Sequence, residues 1–172
     1  MTTVAGIEIP STSPTFLSGV AFHVFVGLCA VIAGIAAMLS KKAPGRHPTF
    51  GTIYYWSLSA VALSATTLAV VRWTEDYHLL ALGVLAFTMA TLGRTARRRR
   101  WDHWARFHVV GMSLSYILLL TAFYVDNGKS LPIWSDLPSI TYWLLPSLVG
   151  IPLIVYVLRW HPVVRQRPEV DR

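Results

Sequence analysis

At 172 residues the chain has the length of a single domain, but 54% hydrophobic and 13% charged residues depart from the roughly 45–50% and about 25% of soluble domains. The formal charge of +7 does not point to nucleic acid, because the basic residues occupy short segments at the ends of apolar runs, where anionic headgroups and insertion topology account for them. The lone Cys29 excludes an internal disulfide and, among apolar neighbours, reads as a small buried side chain that is hard to ionise.

In chain order, residues 1–15 form a short extracytoplasmic segment. They contain no Lys or Arg and carry Pro10 and Pro14, so no cleavable signal peptide is expected. Long apolar runs without alternation should be helices, because a bilayer core leaves no backbone polar group a partner outside its own segment. Five spans are predicted, at about 16–39, 50–71, 77–96, 107–125 and 140–160, each near the ~20 residues a crossing needs. The third has a central apolar run of only fourteen residues, Leu79 to Leu92, and reaches span length only with its flanks. Pro146 and Pro152 lie inside the fifth, where each removes a backbone donor and favours a kink. Between the fourth and fifth spans, residues 126–139 form the longest outer connection, stiffened by Pro132 and Pro138. Residues 161–172 are a basic tail.

Charge orients these spans. Thirteen of the fifteen Lys and Arg residues fall in three clusters: Lys41, Lys42 and Arg46; Arg94, Arg97 to Arg100 and Arg106; Arg159, Arg165, Arg167 and Arg172. Only Arg72 and Lys129 occupy the alternate connections, so the positive-inside rule places the N-terminus outside and the C-terminus inside. Aromatic placement agrees. Trp73, Tyr77, Tyr124 and Trp134 fall at the outer boundary, and Tyr54, Tyr55, Trp101, Trp104 and Trp160 at the inner one, as interfacial belts require. Trp56 and Tyr116 fall deeper and are expected between helices. Arg72 is read as snorkelling to the interface, with pairing to Glu75 or Asp76 as the alternative.

Histidine supplies the candidate chemistry, as the one intramembrane side chain here with ligand or proton-transfer capacity. His23 lies about 10 Å below the outer edge of the first span. It shares a stripe about 80° wide with Gly19, Gly27, Ala30, Gly34 and Ala37, a small-residue packing face that turns it into the protein. His108 shares a face with Gly111, Met112, Ser115, Leu119 and Ala122 and also points inward. His103 lies about 140° from His108 around the same helix. His47, His103, His108 and His161 thus form an inner set, with His23 and His78 an outer one. Two levels of paired imidazoles could hold haem b and pass an electron across the bilayer, the candidate cofactor pairs being His23 with His78 and His47 with His108. A transition-metal site from the same residues is the related alternative. The bland reading of His23 is a hydrogen bond to a serine, threonine or carbonyl on another helix.

Other signals are negative. None of the eight acidic residues lies clearly inside a span, where ion pumps place a carboxylate. No nucleophile elbow, phosphate loop or zinc-protease helix occurs, which points away from an enzyme. Serines and threonines of the second span, Ser57, Ser59, Ser64, Thr66 and Thr67, fall on opposite faces and read as packing residues.

The segment Arg46 to Trp56, RHPTFGTIYYW, with His23-x-x-x-Gly27 upstream and His108-x-x-Gly111 downstream, resembles a family of uncharacterised bacterial multi-pass membrane proteins, a domain of unknown function. Its pattern of an inner-loop His followed by Gly and Tyr is matched by His47, Gly51 and Tyr54 or Tyr55, while Pro48 stands where the family carries Arg. The resemblance spans about residues 16 to 125 and implies a bacterial cytoplasmic membrane location without implying an activity. The inward histidines also give a loose analogy to four-helix haem b cytochromes. The expected protein is thus an all-α polytopic bundle whose surroundings are the lipid bilayer and a membrane-protein partner or second copy. Its role is structural or accessory, with a haem or metal redox protein and a small-molecule or ion permease as alternatives.

Overall fold

The structure is a computed structural model of the whole chain. It describes the backbone of residues 2–4, 7–9, 13–71 and 73–165, and the side chains of 13–68, 77–162 and 164. The expectations for Arg72, for the side chains of Trp73, Glu75 and Asp76, and for the basic tail beyond residue 165 lie outside the described residues. The chain divides into two compact units, Met1–Tyr77 and His78–Arg172.

The first unit opens with a small antiparallel hairpin, β1 (Thr2–Val4) against β2 (Ile7–Ile9), with Thr3 opposite Glu8. This departs from the expected all-helical fold only ahead of the first helix. Helix α1 (Pro14–Leu39) starts where Pro14 supplies a preset φ and Ser13 caps the Phe16 N–H, the usual chemistry of a helix start. Helix α2 (Arg46–Val71) returns beside it after a six-residue connection, residues 40–45. The buried residues of α1 are Val26, Ala30, Ala33, Gly34 and Ala37, so the predicted small-residue stripe is the packing face. Among the described residues of α2 the buried ones are Tyr54, Leu58 and Val61, spaced at one helical face. Tyr54 is only 2% exposed, so it is a packing residue and not the interfacial aromatic expected. Trp56, expected between helices, is 64% exposed.

The second unit contains α3 (Trp73–Arg98, entering this unit at His78), α4 (Trp104–Asn127), α5 (Ser139–Trp160) and the single turn α6 (Pro162–Arg165). The doubtful third span is a full 26-residue helix. Residues 73–76, expected in a connection, continue its N-terminal turn. Helix α4 packs on both neighbours through the smallest residues available. A Cβ on Gly111 would lie 2.7 Å from the Met89 carbonyl oxygen and 2.8 Å from Gly93 Cα, so α3 and α4 cross with their backbones touching, as small residues permit in membranes. On the other side Ile117 packs over Gly150 of α5, and Gly128 lies under the Tyr142 ring. Helix α5 runs through both prolines. Its buried residues, Tyr142, Pro146 and Ile154, recur on one stripe, while Trp143, Leu144, Leu148, Val149, Ile151 and Leu153 are exposed.

So many large apolar residues outside, with small residues at the closest helix contacts, depart from the pattern of a water-soluble helical protein, where exposed apolar patches rarely exceed a few hundred Å². Phe25, Leu28 and Ile32 on α1 are exposed in the same way. Among the described residues four helical stretches are long and apolar enough to cross a membrane: Pro14–Leu39, Tyr77–Arg98, Trp104–Ser130 and Ser139–Trp160. Helix α2, the most hydroxyl-rich, is not among them. Its hydroxyls are turned back on their own backbone: Ser59 donates to the Tyr55 carbonyl, Ser64 to Ala60, Thr66 to Ala62 and Thr67 to Ser64. That geometry satisfies a hydroxyl where no water can.

The long connection after α4 is compact. It begins with a short 3-10 turn, Gly128–Ser130. The Tyr142 hydroxyl donates to the Trp134 carbonyl at 2.6 Å, and Tyr124 stacks on Trp134 with centroids 5.1 Å apart. The segment is thereby folded onto the ends of α4 and α5.

Candidate functional site

The three inward histidines each meet a neighbouring helix through Nδ1. In the first unit, His23 Nδ1 lies 2.8 Å from Ser64 Oγ. Ser64 Oγ also lies 2.8 Å from the Ala60 carbonyl oxygen. The direction of the His23–Ser64 bond follows from the tautomer of the ring, since the hydroxyl can donate as well as accept. His47, expected in a connection, lies in the first turn of α2, where its Nδ1 donates to the Ala37 carbonyl of α1 at 2.9 Å. In the second unit, His108 Nδ1 donates to the Gly93 carbonyl of α3 at 3.0 Å. A carbonyl can only accept, so the His47 and His108 rings are Nδ1-protonated.

Each contact follows from local sequence. Gly93 and Gly111 bring the α3 and α4 backbones together, which puts the Gly93 carbonyl within reach of a histidine one turn before Gly111. At the end of α1 the last carbonyls lack intrahelical donors. Ser40 N–H takes Ala36, Lys42 Nζ takes Ala37 and Met38 at 3.0 and 2.6 Å, and His47 shares Ala37. A cation and a histidine at a helix C-terminus also oppose the negative end of its dipole. Burial of the Lys42 ammonium there lowers its pKa below the ordinary lysine value.

The remaining histidines are placed differently. His78 stacks at 5.9 Å and a 45° tilt on Trp143 of α5. His103 is exposed and holds the start of α4 in a left-handed conformation, φ 56°, without capping it through its side chain. His161 caps the backbone end of α5. The candidate pairs, His23 with His78 and His47 with His108, each take one residue from either unit. From His23 to Ala37, the partner of His47, is about 21 Å along α1 at 1.5 Å per residue. From His78 to Gly93, the partner of His108, is about 22 Å along α3 on the same rise. Within the first unit His23 is thus well separated from the His47 contact, and within the second His78 from the His108 contact. Among the described residues no group of three or more His, Cys, Asp or Glu is placed to hold a metal ion.

The partners of the histidines were only partly legible. Small-residue stripes correctly turned His23 and His108 inward, but a carbonyl acceptor such as Gly93 has no side chain to signal it. The α1 cap of Lys42 and His47 was missed. Its signal was a basic residue and a histidine shortly after an uncapped apolar helix.

No family model, curated protein sequence or solved structure matches this chain. The likeness read from the His47, Gly51 and Tyr54 motif therefore carries no argument here, and function rests on the site alone.

Proposed function

We propose that this protein is a five-span component of a bacterial cytoplasmic membrane, with its N-terminus outside and its C-terminus inside, and that its role is structural or accessory. The observation that carries the reading is the use of the three inward histidines: each hydrogen-bonds through Nδ1 to an adjacent helix, His47 and His108 to main-chain carbonyls and His23 to the Ser64 hydroxyl. They serve as ties between helices in the same places where small residues permit close approach. The α2 hydroxyls that bond their own backbone weigh against a permease, since a polar pathway needs groups that face it. Partners of the proposed component are the bilayer and another membrane protein or a second copy of the chain.

A second reading, a haem b or metal redox protein, is favoured by one detail. Donation of Nδ1–H to a backbone carbonyl, as at His47 and His108, is the arrangement that orients a ligating imidazole and makes Nε2 the coordinating nitrogen. Purification in mild detergent, with an absorption spectrum and metal analysis, separates the two. The accessory reading expects no Soret band, no stoichiometric metal and a co-purifying partner or a defined oligomer. A stoichiometric Soret band that His47→Ala or His108→Ala abolishes would establish the redox reading instead.

A further inference from the structure

The turn joining α3 to α4 gathers positive charge that no described carboxylate neutralises. Arg97, Arg98, Arg99, Arg100 and Arg106 are exposed, and among the described residues none of the five is ion-paired with a carboxylate. Asp102 is the one acidic residue between them.

The turn is built rigidly. The Trp101 N–H reaches back to the Ala96 carbonyl at 3.1 Å, a Schellman closure that sets Arg100 in the left-handed region, φ 52°. Glycine normally takes that position. An arginine there directs its guanidinium over the Trp104 ring, 5.6 Å from the centroid, within cation–π range. Trp101 packs edge-on against Phe107 at 5.9 Å. Just above, the Gly93–Gly111 crossing and the His108–Gly93 hydrogen bond clamp the two helices.

Depth selects the ligand. The turn joins two of the stretches apolar enough to cross a membrane, Tyr77–Arg98 and Trp104–Ser130. Trp101 and Phe107 are exposed beside the arginines, Phe107 at 53%. An indole such as that of Trp101 settles at the headgroup level, with Phe107 at the apolar edge beneath it, which brings the guanidinium groups to the plane of lipid phosphates. Guanidinium binds phosphate through two parallel hydrogen bonds and is more weakly hydrated than ammonium. We infer that the Arg97–Arg106 turn is a binding site for the headgroup phosphate of an anionic phospholipid, with Arg99, Arg100 and Arg106 as its ligands and Trp104 holding Arg100 in place.

This site presupposes the membrane-spanning reading, and the two can fail separately. Retention of the chain in membranes washed with alkaline carbonate tests the spans and is indifferent to headgroup. For the site, the full chain is delipidated in mild detergent and equilibrated with mixed micelles of phosphatidylglycerol and phosphatidylcholine, and retained lipid is counted by native mass spectrometry. Wild type is expected to prefer phosphatidylglycerol by about tenfold or more, as a cluster of several interfacial arginines should. Arg99→Gln/Arg100→Gln/Arg106→Gln, checked for helix content by circular dichroism, should fall to near parity. Arg159→Gln, an exposed basic residue at the end of α5, should retain the wild-type preference. Equal retention of the two lipids by the wild-type protein overturns the site without recourse to any variant. So does a triple variant that keeps the preference, or an Arg159→Gln variant that loses it equally.

Discussion

A methyl group is enough to test how the second unit is held. Gly111 has no room for one, since a Cβ there meets the Met89 and Gly93 backbone at 2.7–2.8 Å and no rotamer can relieve the contact. Gly27 of α1 has nothing within 4 Å of the same position. Gly111→Ala is therefore expected to destabilise by about 1–3 kcal/mol, the usual cost of overpacking. Gly27→Ala should be neutral or stabilise by up to about 1 kcal/mol through helix propensity alone. Thermal unfolding in detergent reads both, and equal shifts would show that the crossing is not a backbone contact. The His23–Ser64 tie is expected to be weaker. A double-mutant cycle with His23→Leu and Ser64→Ala should give a coupling of about 0.6 kcal/mol, typical of hydrogen bonds between membrane helices. Zero coupling would remove the tie as an element of stability. Both glycines looked alike in sequence, each on a small-residue stripe, because spacing identifies the face of a helix and not how closely a neighbour approaches it.

Among the elements, the length of α3 and the capping of the α1 end went beyond what their sequences suggested. The central apolar run of α3 is short, yet the helix continues to 26 residues, because polar flanks hydrogen-bond their backbone as well as apolar residues do. The last carbonyls of α1 recruit Lys42 and His47, an arrangement set by where α2 begins. The Lys42 contribution has a definite sign. Its pKa is lowered in the folded protein by burial, so between that lowered value and the ordinary 10.5 the unfolded chain binds more protons than the native one. Stability should rise with pH through this window. The penalty is fully present below it and gone above 10.5. A thermal-stability series in alkaline buffer should show this rise in wild type and lose it in Lys42→Gln; an unchanged slope in the variant would assign the titration elsewhere. Helix α2 shows the complementary limit. Its serines and threonines read as packing residues in sequence, but nothing in the spacing said that those groups would turn to their own carbonyls.

For the molecule as a whole, the proposed orientation predicts the behaviour of reporters. Green fluorescent protein at the C-terminus should be bright and alkaline phosphatase there inactive. Phosphatase inserted after Lys129 should be active, since the positive-inside rule places that connection outside. The opposite pattern at either point would refute five spans with an outside N-terminus. The sequence by itself determined which segments are helices, how far most of them run, and which faces of α1 and α4 turn inward. Length, apolarity and residue size act on each segment independently, through its partition between water, lipid and a neighbouring surface. Only the tertiary structure decided what the histidines do. A hydrogen bond such as His108 to the Gly93 carbonyl joins residues fifteen apart, and its acceptor is a main-chain atom common to every residue. Such an acceptor is selected when Gly93 and Gly111 let two backbones meet, a fact of packing that no single segment carries.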